Sequence, residues 1–156
     1  GSRSKAERIY SRGINHIGNK GFTRVKRSLS KQVGLPQNQI VSRGALRKHK
    51  AYNGKLLFEI SSRGGYLPLK EFRPRQFGYG VAASPWGRRQ RFRSAFIVDS
   101  LGGNVFRRAG SSCSGGPAIP KEMAKRETLE AFSSVSAALP ARISHELRQA
   151  TGGKLS

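Results

Sequence analysis

A chain of 156 residues carrying thirty Lys and Arg against eight Asp and Glu has a formal net charge of +22, and 36% of it is hydrophobic. That length supports one domain around one core, while the charge opposes compaction by self-repulsion unless acidic neighbours or polyanions offset it. Cys113 stands alone, which excludes a disulfide scaffold, and no run of eighteen apolar residues offers a membrane span; the expectation is a protein made in a reducing cytoplasm that works inside a complex.

Phe22, Val25, Leu29 and Val33 recur at helical spacing, and Ala6, Tyr10, Gly13 and Ile17 share their phase. This predicts one long helix within 3–34, or two joined near Gly18 and Asn19, with Arg and Lys on the outer face. Gly34 supplies a stop and Pro36 precedes a short second helix over 37–42. The basic run 43–50 reads as a loop. Leu56, Phe58 and Ile60 then alternate with Lys55, Leu57 and Glu59, the pattern of a strand with one buried face. Leu67 and Leu69 resume the alternation around Pro68, whose missing N–H predicts an edge or irregular strand. Over 89–98, Phe92, Phe96 and Val98 point one way and Arg89, Arg91 and Arg93 the other, so one strand presents an arginine row opposite a packed face. A further strand over 105–108 follows the Gly102-Gly103 turn.

From Pro120 the pattern is helical again: Leu129, Phe132, Val135, Leu139, Ile143, Leu147 and Ala150 advance by three or four. Pro140 kinks this helix or begins another after Leu139. The predicted fold class is α+β, a single domain over 1–150. An antiparallel sheet of four or five strands within 54–109 is flanked by the long N-terminal helix and by C-terminal helices over 119–150. Residues 151–156 read as a flexible tail.

Ten Lys or Arg and only two acids, Glu71 and Asp99, lie between positions 63 and 108, a density beyond what solubility needs. Arg73, Arg75, Arg88, Arg89, Arg91, Arg93, Arg107 and Arg108 are the candidate contacts to a partner or to DNA. The guanidinium fork pairs bidentately with phosphate and carboxylate alike, so both kinds of partner are compatible. Trp86, between Pro85 and Gly87 in what reads as an exposed turn, is the candidate interface anchor. Phe72, Phe77, Tyr79 and Phe92 interleave with the charge and read as core or interface side chains more than as a stacking platform for single strands. Enzymatic chemistry finds no foothold. His16, His49 and His145 lack metal-ligand spacing, His145-Glu146 lacks the second histidine of a zinc protease, and Cys113 has no flanking His or Asp. No cofactor and no metal is expected.

The order of short motifs carries more information than the charge. Leu67-Pro68-Leu69 is followed by Phe72, Arg75-Gln76, Gly80-Val81, Trp86-Gly87-Arg88, Phe96-Ile97-Val98, Val105-Phe106-Arg107-Arg108 and Gly116-Pro117-Ala118-Ile119-Pro120. This succession resembles the minor tail protein Z family of long-tailed bacteriophages, and Arg12-Gly13-Ile14-Asn15-His16 with Gln32-Val33-Gly34-Leu35 resemble its first helix and helix-ending element. The chain departs from the family where Ser111-Ser112-Cys113-Ser114-Gly115 replaces an apolar segment before Gly116-Pro117. The resemblance implies a structural virion protein, not an enzyme, that completes the tail at its head-proximal end and supports head–tail joining and DNA passage. It implies a cyclic homo-oligomer, a hexamer by the sixfold symmetry of tails, with tail terminator and head–tail connector proteins as neighbours and a nonspecific DNA contact. Charge alone supports a different expectation, a free-standing, sequence-nonspecific nucleic-acid-binding protein.

Overall fold

The computed structural model describes residues 2–107 and 116–150. The stretch 108–115, with Arg108 and Cys113, and the tail 151–156 lie outside the described residues. The chain combines helices with small antiparallel sheets. Helix α1 (Ser2–Val33) runs unbroken through Gly18 and Asn19. Its packing follows one row, Ile9, Gly13, Ile17, Gly21, Val25, Leu29 and Val33, all buried and spaced strictly by four. Four residues turn a helix by about 400°, so the row advances about 40° per step and winds round the axis. The two halves of α1 therefore face different neighbours. Val25, Leu29 and Val33 enter the main core with Leu35, Ile40, Leu69, Phe72, Val81 and Ile119. Nearer the N-terminus, Gly13 leaves room for Ile143, Gly21 for Phe132, and Gly18, off the row, for the ring of Phe58.

Gly18 gives a direct test of this packing. Alanine there improves helix propensity by about 1 kcal/mol, but its Cβ falls 2.3 Å from ring atoms of Phe58, and overpacking of that kind costs about 1–3 kcal/mol. The expected net result is a loss of about 1 kcal/mol in urea unfolding. Pairing Gly18→Ala with Phe58→Leu should recover much of it.

Gly34, at φ 86°, ends α1, and α2 (Gln37–Arg43) follows as the sequence predicts. The strands differ more. β1 (Arg47–His49) pairs antiparallel with β2 (Glu59–Ser61), so the basic run expected as a loop contains a strand. Its side chains are exposed, and the ladder needs only the backbone. The strand expected around Leu56, Phe58 and Ile60 is confined to its last part, with Leu56 and Leu57 largely exposed. Leu67 and Leu69 are buried without forming a strand. Leu67 exchanges hydrogen bonds with Gly116 and Pro117, and Leu69 opens a 3-10 turn, Leu69–Glu71.

β3 (Arg75–Phe77), β4 (Gly80–Ala83) and β5 (Gln90–Arg93) form a three-stranded sheet, and β6 (Ala95–Val98) pairs with β7 (Asn104–Arg107). Among the described residues, seven short strands in three small sheets thus stand where the sequence predicted one sheet of four or five. Ser94 separates β5 from β6. At φ 61° it breaks the run 89–98 and shifts its alternation, so Phe92 packs on the core whereas Phe96 is exposed and stacks on Phe106 at 6.2 Å.

Helices α3 (Ile119–Met123), α4 (Arg126–Ser136) and α5 (Leu139–Ala150) complete the described chain. Pro120 and Pro140 occupy first turns, where a missing N–H removes no intrahelical bond. α4 and α5 pack on α1 as an outer layer. No residue of α5 is fully buried, and Leu129, expected in the apolar row, is 57% exposed. No helix among the described residues is long and apolar enough to cross a membrane.

Candidate polyanion-binding face

Register decides which side chains share a face of the three-stranded sheet. Arg75 lies opposite Ala82 and Ala82 opposite Arg91, while Phe77, Gly80 and Arg93 form the next such row. Directly opposed residues point to the same side, so Arg75, Phe77, Arg91 and Arg93 crowd one face around the small residues of β4. The other face carries Gln76, Val81 and Phe92, of which Val81 is fully buried and Phe92 packs on the core. The Gln76 side chain ties the sheets together. Its Nε2 donates to the carbonyls of Phe77 and Gly80, and its Oε1 accepts the N–H of Ile97 at 2.9 Å.

The turn between β3 and β4 adds Tyr79. Its ring stacks parallel on Phe77, 5.5 Å apart with 3° between planes, and the Arg91 guanidinium lies 5.3 Å from the centre of the tyrosine ring. Phe77 is 43% and Tyr79 39% exposed, so both belong to the surface and neither is core. Sequence reasoning grouped them with buried or interface aromatics; the signal it passed over is the Gly78 and Gly80 pair around Tyr79, a tight hairpin that sets both rings outward.

Of the arginines predicted from sequence, Arg75, Arg91 and Arg93 come together on this face. Arg89 does not join the row: its Nη1 donates to the carbonyl of Arg73 at 2.8 Å and meets Ser84 Oγ at 3.4 Å, bracing a bend in which Arg73 holds φ 54°. Arg88 lines a separate polar hollow with Gln32, Trp86, Gln90, Lys125 and Glu127. Arg107 is exposed at the end of β7, opposite Ala95. Arg108 lies outside the described residues.

Trp86, expected as an anchor in an exposed turn, is half-buried and engaged within the chain. At φ 57°, its indole Nε1 donates to Glu122 Oε1 at 2.8 Å, and Lys125 Nζ stands 5.7 Å from the ring centre. Glu122 is 3% exposed and accepts from Gln32 Nε2 at 2.5 Å and from Lys125 Nζ at 3.0 Å. Burial pushes its carboxyl pKa up, but the hydrogen bonds from Trp86, Gln32 and Lys125 outweigh that and hold it below the usual carboxylate range.

Among the described residues the outer face has no charge partner of its own. Glu7, Glu59, Glu71, Glu122, Glu130 and Glu146 pair with Arg3, Lys55, Arg43, Lys125, Arg126 and Arg142 in turn, leaving Asp99 and Glu127 of the eight acids. Among the described residues, Arg75, Arg91 and Arg93 form no ion pair. Such a face offers planar forks to phosphate or carboxylate oxygens and an aromatic surface beside them. No group of His, Cys, Asp and Glu that could hold a metal occurs among the described residues. Comparison with family models, with curated proteins and with solved structures finds no match to this chain.

Proposed function

We propose that this chain is a structural component of a long-tailed phage, completing the tail at its head-proximal end, with the arginine–aromatic face turned toward DNA. The observation that carries the proposal is the grouping of Arg75, Arg91 and Arg93, without carboxylate partners among the described residues, around the exposed Phe77–Tyr79 stack. The ordered succession of motifs from Leu67 to Pro120 supports the tail assignment. Copies close into a ring, six by the symmetry of tails, through heterologous contacts, and tail terminator and connector proteins are the neighbours. The Phe77–Tyr79 stack also favours a second reading, a free-standing sequence-nonspecific nucleic-acid-binding protein.

Two measurements test the proposal. A variant with Arg75, Arg91 and Arg93 all changed to Gln should keep its fold and flatten the log–log salt dependence of DNA affinity by about two to three units, near 0.9 for each phosphate no longer neutralised. An unchanged slope removes the face from DNA binding. Labelled protein should mark the neck of mature particles, and particles made without the protein should have tails that join heads poorly. Infectious particles formed normally without it end the tail assignment, and retained DNA affinity then favours the free-standing protein.

A further inference from the structure

On a different element from the sheet face, α1 carries Lys20, Arg24, Arg27 and Lys31, all exposed. At about 100° per residue the four fall within a narrow stripe, spread over roughly 16 Å of helix. Each stands three or four positions from another cation, an arrangement that destabilises a helix, and no acid lies within four residues of any of them. Attraction to the negative helix C-terminus accounts for Lys31, in the last turn. It does not account for Lys20 or Arg24, because that attraction fades beyond the last turn.

Neighbouring cations are used differently. Lys26 and Lys48 lie over the ring of Phe22, at 5.1 and 5.4 Å, and Arg3 pairs with Glu7. Among the described residues the four stripe cations form no ion pair. Across 19–32 the exposed residues are these four and Thr23. A protein-docking surface is centred on aromatic or apolar anchors, and this stripe has none. It is also held rigidly, because Val25, Leu29 and Val33, at most 2% exposed, fix this half of α1 in the core.

We infer that the Lys20–Arg24–Arg27–Lys31 stripe is a second binding surface, which takes the phosphate backbone of duplex nucleic acid without reading its sequence. One charge per turn of a rigid helix matches a line of phosphates, and lysine and arginine serve equally where only charge is sensed.

The test is salt-dependent binding of the full chain to a labelled duplex of random sequence. Changing Lys20, Arg24, Arg27 and Lys31 together to Gln leaves the sheet face intact and should flatten the log–log slope by about three to four units. The charge-conserving K20R/R24K/R27K/K31R variant should keep the wild-type slope. If the fourfold variant loses helical circular dichroism, R24Q/R27Q replaces it, with a flattening of about two units expected. An unchanged slope in the folded variant overturns the inference, including when binding to an acidic protein disappears. So does a charge-conserving variant that weakens as much as the Gln variant.

Discussion

Glu122→Ala should lower stability by about 3 kcal/mol, or roughly 10 °C in melting temperature for a chain of this size. The carboxylate joins three parts of the fold, through Gln32 on α1, Trp86 in the turn before β5, and Lys125 between α3 and α4. Its removal strands the Trp86 indole N–H and leaves the Gln32 amide only the backbone carbonyl of residue 122, and the cost of a donor left without an acceptor exceeds the worth of the bond itself. Glu122→Gln preserves size and one acceptor oxygen and should fall between. The effect has a defined pH sense. Because the native pKa is depressed, the carboxylate stabilises the fold fully above the usual carboxylate range, and the benefit disappears as pH falls through the native value. The stability gap between wild type and Glu122→Gln should therefore be widest near neutral pH and close in acid. A gap that is constant with pH shows that the charge contributes nothing.

Gly80→Ala should cost about 3 kcal/mol and remove the candidate face with it. Gly80 sits at φ 149°, and a Cβ there falls 2.2 Å from the carbonyl oxygen of Phe92. Backbone strain of about 1–3 kcal/mol adds to an overlap that only movement of β5 relieves. Since Gly80 is in register with both Phe77 and Arg93, such movement separates the two sides of the face. Chemical denaturation should show the drop in stability, and DNA affinity should fall even though no charge has changed. A variant with wild-type stability and affinity shows that the hairpin absorbs the methyl group and that the face does not depend on this register.

The helices were legible in the sequence because their signals are local: the helical spacing of Phe22, Val25, Leu29 and Val33 in α1, Gly34 as a stop, and prolines at 120 and 140 in first turns, although Tyr10, placed in the same phase, is exposed. The strands were less so. Alternation over 89–98 reads as one strand, and nothing in the residue types announces that Ser94 takes a positive φ and reverses the side on which Phe96 emerges. The candidate site was half legible. Arg75, Arg91 and Arg93 were named from charge density, but their convergence depends on the register across β4, which is not a local property. Arg89 was named with them on charge density and on alternation, and its bond to the Arg73 carbonyl follows from a bend that neither encodes. Trp86 looked exposed between Pro85 and Gly87, because its partner Glu122 lies thirty-six positions away.

The partners of α1 impose an order in time. The helix lies early in the chain, yet Ile143 and Phe132 fill its glycine gaps, and the Gln32–Glu122 bond spans ninety positions. Taken alone, α1 is glycine-interrupted and self-repelling, the kind of segment that stays mostly unfolded in water without tertiary contacts. A nascent chain therefore leaves the ribosome with this basic helix uncommitted until α4 and α5 are synthesised. Domains generally fold as units once their contacts are present; here that moment comes late. Until then these cations are held by no fold, and on the proposed reading, in which they bind nucleic acid, such binding competes directly with folding.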